Sequence, residues 1–502
     1  MLATTSLGAI WTALSPDTGI TAMVDRLSQI EPKILFTDDV ATYNAKTHSV
    51  LPKVREATRQ ISALRAMVIL SAKPESESAS SPASALLEMT YSEFLAGGRE
   101  SHELSFEQFP AEHPVYILYS SGTTGKPKCI VHGAIGTLLQ HKKEHILQSD
   151  IKPGDRLFFF TTCMWMMWHW HVSALASGIT LVLYDGSPFY YRREGYTEAV
   201  EDYQAMPKLI DELQITHFGT SAKYLSVLQQ KAVRPKESGL CLKSLKAIYS
   251  TGSPLAPTTF EYVYDIFGSS IQLGSISGGT DIIADFGVPC PIEPVHSGEI
   301  QVPALGMAVQ AWSQEGVDVC FWGASGFDNY KAAYFQRFPG VWHHGDFIRF
   351  NEATGGIYML GRSDGTLNPS GVRFGSAEIY NVLLSNFADC VADSLCVGQR
   401  RENETDETVV LFVKMLDERR LTSELVQTIK KTVWDQLSPR HVPRHVVECP
   451  EIPYTHNNKK VELAVKRIIS GTKVTSTAGI ANGHCLAWYQ DWASTKLDEE
   501  HI

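Results

Sequence analysis

The residues best suited to chemistry lie between Tyr116 and His132, which read YILYSSGTTGKPKCIVH. Six small residues, Ser120, Ser121, Gly122, Thr123, Thr124 and Gly125, carry four hydroxyls, and Lys126, Pro127 and Lys128 follow them. This composition suits the cradling of a polyphosphate. Glycines let the backbone come close to an anion, backbone N–H groups and hydroxyls donate to phosphate oxygens, and a lysine adds a compact positive charge. A Walker A loop would need Lys followed by Ser or Thr at a helix start. Here Pro127 follows Lys126, which suits a loop between strands. The apolar runs Tyr116–Tyr119 and Cys129–Val131 read as those strands.

Such a loop needs a frame. Strand candidates at Leu181–Tyr184, Ile215–Gly219, Ala247–Thr251 and Ile271–Leu273 alternate with helical stretches near 203–214, 221–232 and 257–267. Alternation of this kind predicts an α/β fold with a largely parallel sheet, whose ligands sit on loops beyond the strands' C-terminal ends. Asp155–Thr161 reads as a further strand. Upstream, Ile20–Ile30 has the spacing of an amphipathic helix, Lys33–Thr37 reads as a strand, and the Ser/Pro-rich Ser71–Ser84 as a surface loop. Cys163–His171 reads CMWMMWHWH. It is either a core helix or an aromatic wall around a small organic substrate. Its histidines lack the helical spacing of metal ligands.

Composition narrows the class. A chain of 502 residues is long enough for two or more domains. A net charge of −11 argues against a nucleic-acid surface or an anionic membrane as partner. Nine cysteines without a CxxC pair read as reduced thiols of a cytosolic protein. No apolar run reaches the roughly 18 residues of a transmembrane helix.

Ser120–Lys128 matches throughout the phosphate loop of the adenylate-forming superfamily of acyl-CoA synthetases, luciferases and peptide-synthetase adenylation domains, and the chain resembles that family. The resemblance implies that Ser120, Ser121, Gly122, Thr123, Thr124, Gly125 and Lys126 hold the phosphates of ATP. It implies that the backbone of Gly252, Ser253 and Pro254, in Ser250–Pro254, packs against adenine. In Gly274–Asp281 it puts Gly279 and Thr280 at the nucleotide, with the Thr280 hydroxyl on the α-phosphate, and Asp281 on Mg²⁺. Asp281 stands where the family has Glu, so its reach is one methylene shorter and water can complete the coordination. Acetyl-CoA synthetases carry a tryptophan at the position of Gly278, and glycine there opens the acid pocket. In Trp342–Asp346, Asp346 accepts from the ribose hydroxyls. In Leu360–Gly365, Arg362 contacts ribose and phosphate and Asp364 is the hinge. Arg373 faces the nucleotide. In Ile452–Glu462, Lys459 attends the forming acyl-adenylate, although Asn458 replaces the family's glycine and the adjacent Lys460 is an alternative. Trp165-Met166-Met167-Trp168, with Leu183–Pro188, resembles acetoacetyl-CoA synthetases in particular, with Trp165 in the pocket wall.

The resemblance therefore implies a large N-terminal domain over 1–361, incomplete at its start, with mostly parallel sheets and helices, and a smaller mobile α+β lid over 362–502. It implies activation of acetoacetate by Mg·ATP to an acyl-adenylate, then transfer to coenzyme A. A CoA ligase for another short or medium acid and a non-catalytic nucleotide-binding remnant remain as alternatives.

Overall fold

Apolar strands alternating with amphipathic helices build the computed structural model in parallel layers. It describes residues 1–44, 46–71, 86–98, 106–120, 128–191, 200–311, 334–335, 338–363, 365, 367, 369, 374–401, 407–455, 459–472, 474 and 480–499. The Ser71–Ser84 loop falls almost wholly outside them.

The first sheet joins β1 (Ile34–Asp38), β2 (Ala66–Leu70) and β3 (Leu87–Thr90), all parallel. Helix α1 (Ile20–Ile30), with the expected bounds, and α2 (Leu51–Thr58) share a core with β2 through Met23, Val54, Ala57 and Met67. β4 (Pro114–Ser120) and β5 (Lys128–Gly133) form an antiparallel pair with Ser120 opposite Lys128. The phosphate-loop residues Ser121–Pro127 lie outside the described residues, as does the side chain of Ser120. The base of the loop is thus the expected strand pair.

Helix α3 (Ala134–Lys143) runs into a π-helical turn, Glu144–Gln148. Then comes the main sheet: β6 (Arg156–Phe159), α4 (Met166–Ser173), β7 (Thr180–Leu181), α5 (Ala205–Glu212), β8 (His217–Ser221), α6 (Ala222–Gln230), β9 (Ala247–Thr251), α7 (Pro257–Phe267) and β10 (Gln272–Ser275). Its five strands are parallel in the order β10-β9-β8-β6-β7. The buried core on it includes Phe158, Phe218, Leu225, Ile248, Val263 and Leu273. The strand expected over Leu181–Tyr184 stops at Leu181. β7 is an edge strand, Leu183 faces solvent, and Tyr184 turns away to donate from its hydroxyl to Ser187 O at 3.0 Å.

Beyond β10 the chain turns antiparallel: β11 (Ser277–Gly279), β12 (Ala284–Val288) and β13 (Val302–Pro303), then β14 (Asp346–Phe350) with β15 (Ile357–Arg362). The C-terminal part is α+β. It holds α8 (Ser376–Phe387), β16 (Val391–Gln399), β17 (Thr408–Met415), α9 (Ser423–Gln436), β18 (His445–Glu448), α10 (Glu462–Ile469) and α11 (Leu486–Glu499). Its two buried clusters draw only on residues from Leu367 onward, whereas the other clusters end at Ile283.

Gly219 pairs with Phe159 across β8 and β6, and a Cβ there would overlap the Phe159 ring. Gly219→Ala should cost about 1–3 kcal/mol and lower the thermal unfolding midpoint. An unchanged midpoint would show that the ring can move aside.

Candidate active site

A cavity of about 2640 Å³ opens over the C-terminal ends of the main-sheet strands. This is where a parallel sheet leaves its loops free to hold ligands. The loop after β9 carries Gly252, Ser253 and Pro254, all exposed and all lining the cavity. Gly252 has φ +91°, a conformation that favours glycine at this turn. The loop after β10 is tied to it: Ile276 N–H donates to Ser250 O at 2.8 Å and the Thr251 hydroxyl to Ile276 O at 3.2 Å.

That second loop is a β-hairpin. β11 continues from β10, turns through Thr280–Ile283 and returns as β12. Gly279, Thr280 and Asp281 line the cavity at its tip. Ile283 closes the turn at φ +48°, a strained conformation for a β-branched residue. It is held there by packing with Tyr116 and Leu118 and by His141 Nε2, which lies 2.8 Å from Ile283 O. His132 on β5 lies against the Thr280 backbone, and burial pushes its pKa down to about 4, so it is neutral there.

The Asp346 loop reaches the same hairpin through His344. Trp342 Nε1–H donates to His344 Nδ1 at 3.5 Å, which leaves the proton on Nε2, 3.4 Å from Asp346 Oδ2. The His344 ring packs edge-on against Phe286 of β12, and its Cε1 stands 3.0 Å from where a Cβ on Gly279 would lie. His344 thus orients a carboxylate and fills the space over a glycine.

The tryptophan-rich segment is both wall and core. Trp165, Met166, Met167 and Trp168 line the cavity. Trp170 is buried, with its indole N–H donating to Glu144 Oε2 at 3.0 Å, and His171 Nε2 bonds Leu157 O at 3.0 Å.

Gly278 lies opposite Asp285 in the hairpin, at a register shift between Ser277 and Gly278. A Cβ on Gly278 would fall inside the van der Waals shells of Ala284 O and Asp285 Oδ1. The space that a side chain at 278 would take is therefore occupied by a backbone carbonyl and a carboxyl group. Asp285 is 4 % exposed and lines the cavity. Behind it lies Glu144, whose carboxylate accepts from Gln140 Nε2 at 2.9 Å, from Trp170 Nε1, and from the Asp285 backbone N–H at 3.2 Å, with Lys143 Nζ 3.8 Å away. Burial, then the neighbouring Glu144, raises the Asp285 carboxyl well above the usual range. Glu144 has the donors, so the proton of the pair sits on Asp285. Neither residue falls in a sequence motif; what marks them is their contact with each other.

From the C-terminal part, Lys459 and Lys460 both line the cavity, and they differ in what holds them. Lys459 is exposed. Its backbone closes the loop's base, with Thr455 N–H donating to Lys459 O at 2.8 Å and Lys459 N–H to Thr455 Oγ1 at 3.1 Å. Lys460 Nζ lies 3.1 Å from Asp393 Oδ1 and 3.8 Å over the Tyr380 ring centroid. Asp393 also takes Lys223 of α6 at 3.4 Å and the Tyr454 hydroxyl. Burial opposes the Asp393 charge, but Lys460, Lys223 and Tyr454 together hold its pKa well below the usual carboxylate range. Lys460 is thus a structural cation. The Arg362 side chain, Asp364, Arg373 and Asn458 lie outside the described residues.

Residues 1–315 match the family model "AMP-binding enzyme". The chain is 59 % identical to malonamoyl-CoA synthetase vrtB of Penicillium aethiopicum, over 98 % of this chain and 71 % of that protein. It is 46 % identical to acetoacetyl-CoA synthetase of Gallus gallus, over 98 % and 74 %. The solved structure of acetoacetyl-CoA synthetase from Streptomyces lividans superposes with a TM-score of 0.86 at 35 % identity, covering 99 % of this chain and 75 % of that one.

Removing Lys460 leaves Asp393 buried with one ammonium fewer. Lys460→Met should cost on the order of 3 kcal/mol and lower the unfolding midpoint. An unchanged midpoint would show that Lys460 is not a structural cation. Because the folded Asp393 pKa is depressed, its contribution is present above the unfolded value of about 4 and is lost as pH falls below it. The stability of Asp393→Asn should accordingly fall less steeply on the acid side, as read by thermal unfolding between about pH 3 and pH 7.

Proposed function

The chain belongs to the AMP-binding enzyme family and is an ATP-dependent acid–CoA ligase; we propose that its acid is a short β-carbonyl acid, acetoacetate or its amide counterpart malonamate. These two acids share a carboxylate, a methylene and a terminal carbonyl, and differ only in a methyl against an amino group. The observation that carries the reading is the convergence on one cavity of the Gly252 loop, the Thr280–Asp281 turn, Asp346 and Lys459.

In this reading the acid carboxylate attacks the α-phosphorus of ATP, pyrophosphate leaves, and the acyl-adenylate passes its acyl group to the CoA thiol with release of AMP. Two anions must meet in the first step. The Lys459 ammonium, the Thr280 hydroxyl and the lysines of the 120–128 loop offset the charge that builds up there. Asp346 fixes the ribose and the Gly252–Pro254 backbone the base, so that the reacting atoms meet in one geometry. Asp281 is the carboxylate that would hold Mg²⁺. Among the described residues no group of three metal-ligating side chains exists, so the ion's remaining ligands would be phosphate oxygens and water, as Mg²⁺ prefers. The ion supplies charge neutralisation on the phosphates.

We assign the hinge to Asp364, between a body over 1–361 and a lid over 362–502, with Arg362 and Arg373 at the nucleotide. Rotation of the lid withdraws Lys459 and admits the thiol, an assembly step of the kind lids perform. A cytosolic location rests on the thiol pattern of the sequence. No helix among the described residues is long and apolar enough to cross a membrane.

The test is pyrophosphate release by the full chain with Mg·ATP and CoA. Acetoacetate or malonamate should support it at least tenfold better than acetate or butyrate. Lys459→Ala should lose roughly two orders of magnitude in the adenylation step with ATP binding retained. Release with a different acid would move the substrate class. ATP binding without release for any acid would reduce the protein to a nucleotide-binding remnant.

A further inference from the structure

We propose that Asp285 is a specificity-determining residue of the acid pocket, and that its carboxyl group selects a substrate ending in a primary carboxamide over one ending in a methyl ketone. The inference rests on the reading above that the cavity takes a short β-carbonyl acid, and it names the terminal group.

Four observations support it. Glycine at 278 lets β11 lie close against β12, and the space beside its Cα holds the Ala284 carbonyl and Asp285 Oδ1. Asp285 is a cavity-wall residue although almost fully buried, so a ligand reaching this wall meets a carboxyl rather than an apolar surface. Met166, Met167 and Ile276 contribute apolar side chains to the same cavity. Glu144 accepts from Gln140, Trp170 and the Asp285 N–H and stands beside Lys143, so it keeps the charge and Asp285 keeps the proton. The Asp285 side chain is hydrogen-bonded to Glu144, which leaves its carbonyl oxygen as an acceptor.

A buried acceptor at a cavity wall discriminates by hydrogen bonding. A carboxamide N–H donates to it. A methyl group cannot, and it leaves the oxygen buried without a partner. Sites built around such a bond reject the analogue that lacks it far more strongly than an apolar pocket rejects a methylene. The carboxylate of the substrate is at its other end, directed at the α-phosphate, so the protonated Asp285 does not repel it.

The experiment compares kcat/KM for malonamate and acetoacetate, by AMP formation with Mg·ATP and CoA, in the full-length wild type, Asp285→Ala and Asp285→Asn. The wild type should favour malonamate at least tenfold. Asp285→Ala should bring the ratio to about one or below, mainly by lowering kcat/KM for malonamate. Asp285→Asn should keep the wild-type preference, because its amide N–H donates to Glu144 and its oxygen still accepts. A wild type that favours acetoacetate overturns the proposal even if Asp285→Ala does not fold. So does an Asp285→Ala enzyme that folds and loses both substrates in proportion, since Asp285 would then only support the hairpin. Absence of AMP formation with either acid, alongside turnover of some other acid, overturns the β-carbonyl reading itself and this inference with it.

Discussion

The close approach of β11 to β12 at Gly278 is the contact on which the site depends. β11 is the continuation of β10, so its position is fixed by the parallel sheet, and β12 is fixed by β13. With any side chain at 278 the two strands could not pair as they do, because backbone and carboxyl atoms of β12 already fill that volume. Pairing at this distance carries the Thr280–Asp281 turn to the cavity mouth and forces Ile283 into its left-handed conformation. Strain of this kind persists only where the surroundings over-determine it. Here burial among Tyr116 and Leu118 and the His141 contact do so. β4, which leads into the phosphate loop, contributes both Tyr116 and Leu118. One packed cluster therefore sets the phosphate loop and the hairpin tip relative to each other.

A second constraint is electrostatic. A chain of net charge −11 must gather a polyphosphate and a carboxylate in one cavity. Three of its own carboxyl groups there are neutral, oriented or paired. Asp285 holds a proton, Asp346 faces the His344 Nε2–H, and Asp393 is matched by two lysines. The Asp393 cluster also joins the two parts of the molecule, since Lys223 comes from α6 and Lys460 from the segment before α10. That a buried carboxylate is shared between the two parts makes their relative position dependent on ionisation, because breaking either pair leaves charge buried with less compensation.

What could be read from the sequence follows from range. The phosphate-loop strands, α1, β9 and α7 were legible because local periodicity and flanking small residues determine them, and three were found with the expected bounds. The Thr280–Asp281, Asp346 and Lys459 strings are contiguous and their proposed roles come from resemblance; the structure adds that all of them line one cavity. The β7 strand was read too long, since the turn at Tyr184 is set by a hydrogen bond to Ser187 rather than by composition. Asp285, Glu144 and Asp393 were not legible at all. Their significance comes from partners 141 or 67 positions away in sequence, as with the Asp285–Glu144 and Lys460–Asp393 contacts, and no local pattern announces such pairs. Gly278 reads as an opening from resemblance, whereas the structure shows the space beside its Cα filled by Ala284 O and Asp285 Oδ1, a contact that only the fold could supply.

The division of labour between the adjacent lysines follows from these contacts. A residue that must act at one stage of a reaction and then withdraw cannot also be the cation that stabilises the element carrying it. Lys460 is anchored over Tyr380 and against Asp393, so it moves only with the whole C-terminal part. Lys459 sits at the edge of the cavity, at the base of a short loop whose ends are pinned by Thr455, and so extends from a rigid base. Lys460 therefore fixes the backbone beside Lys459, and the Asp393 cluster that holds it ties this segment to α6 through Lys223.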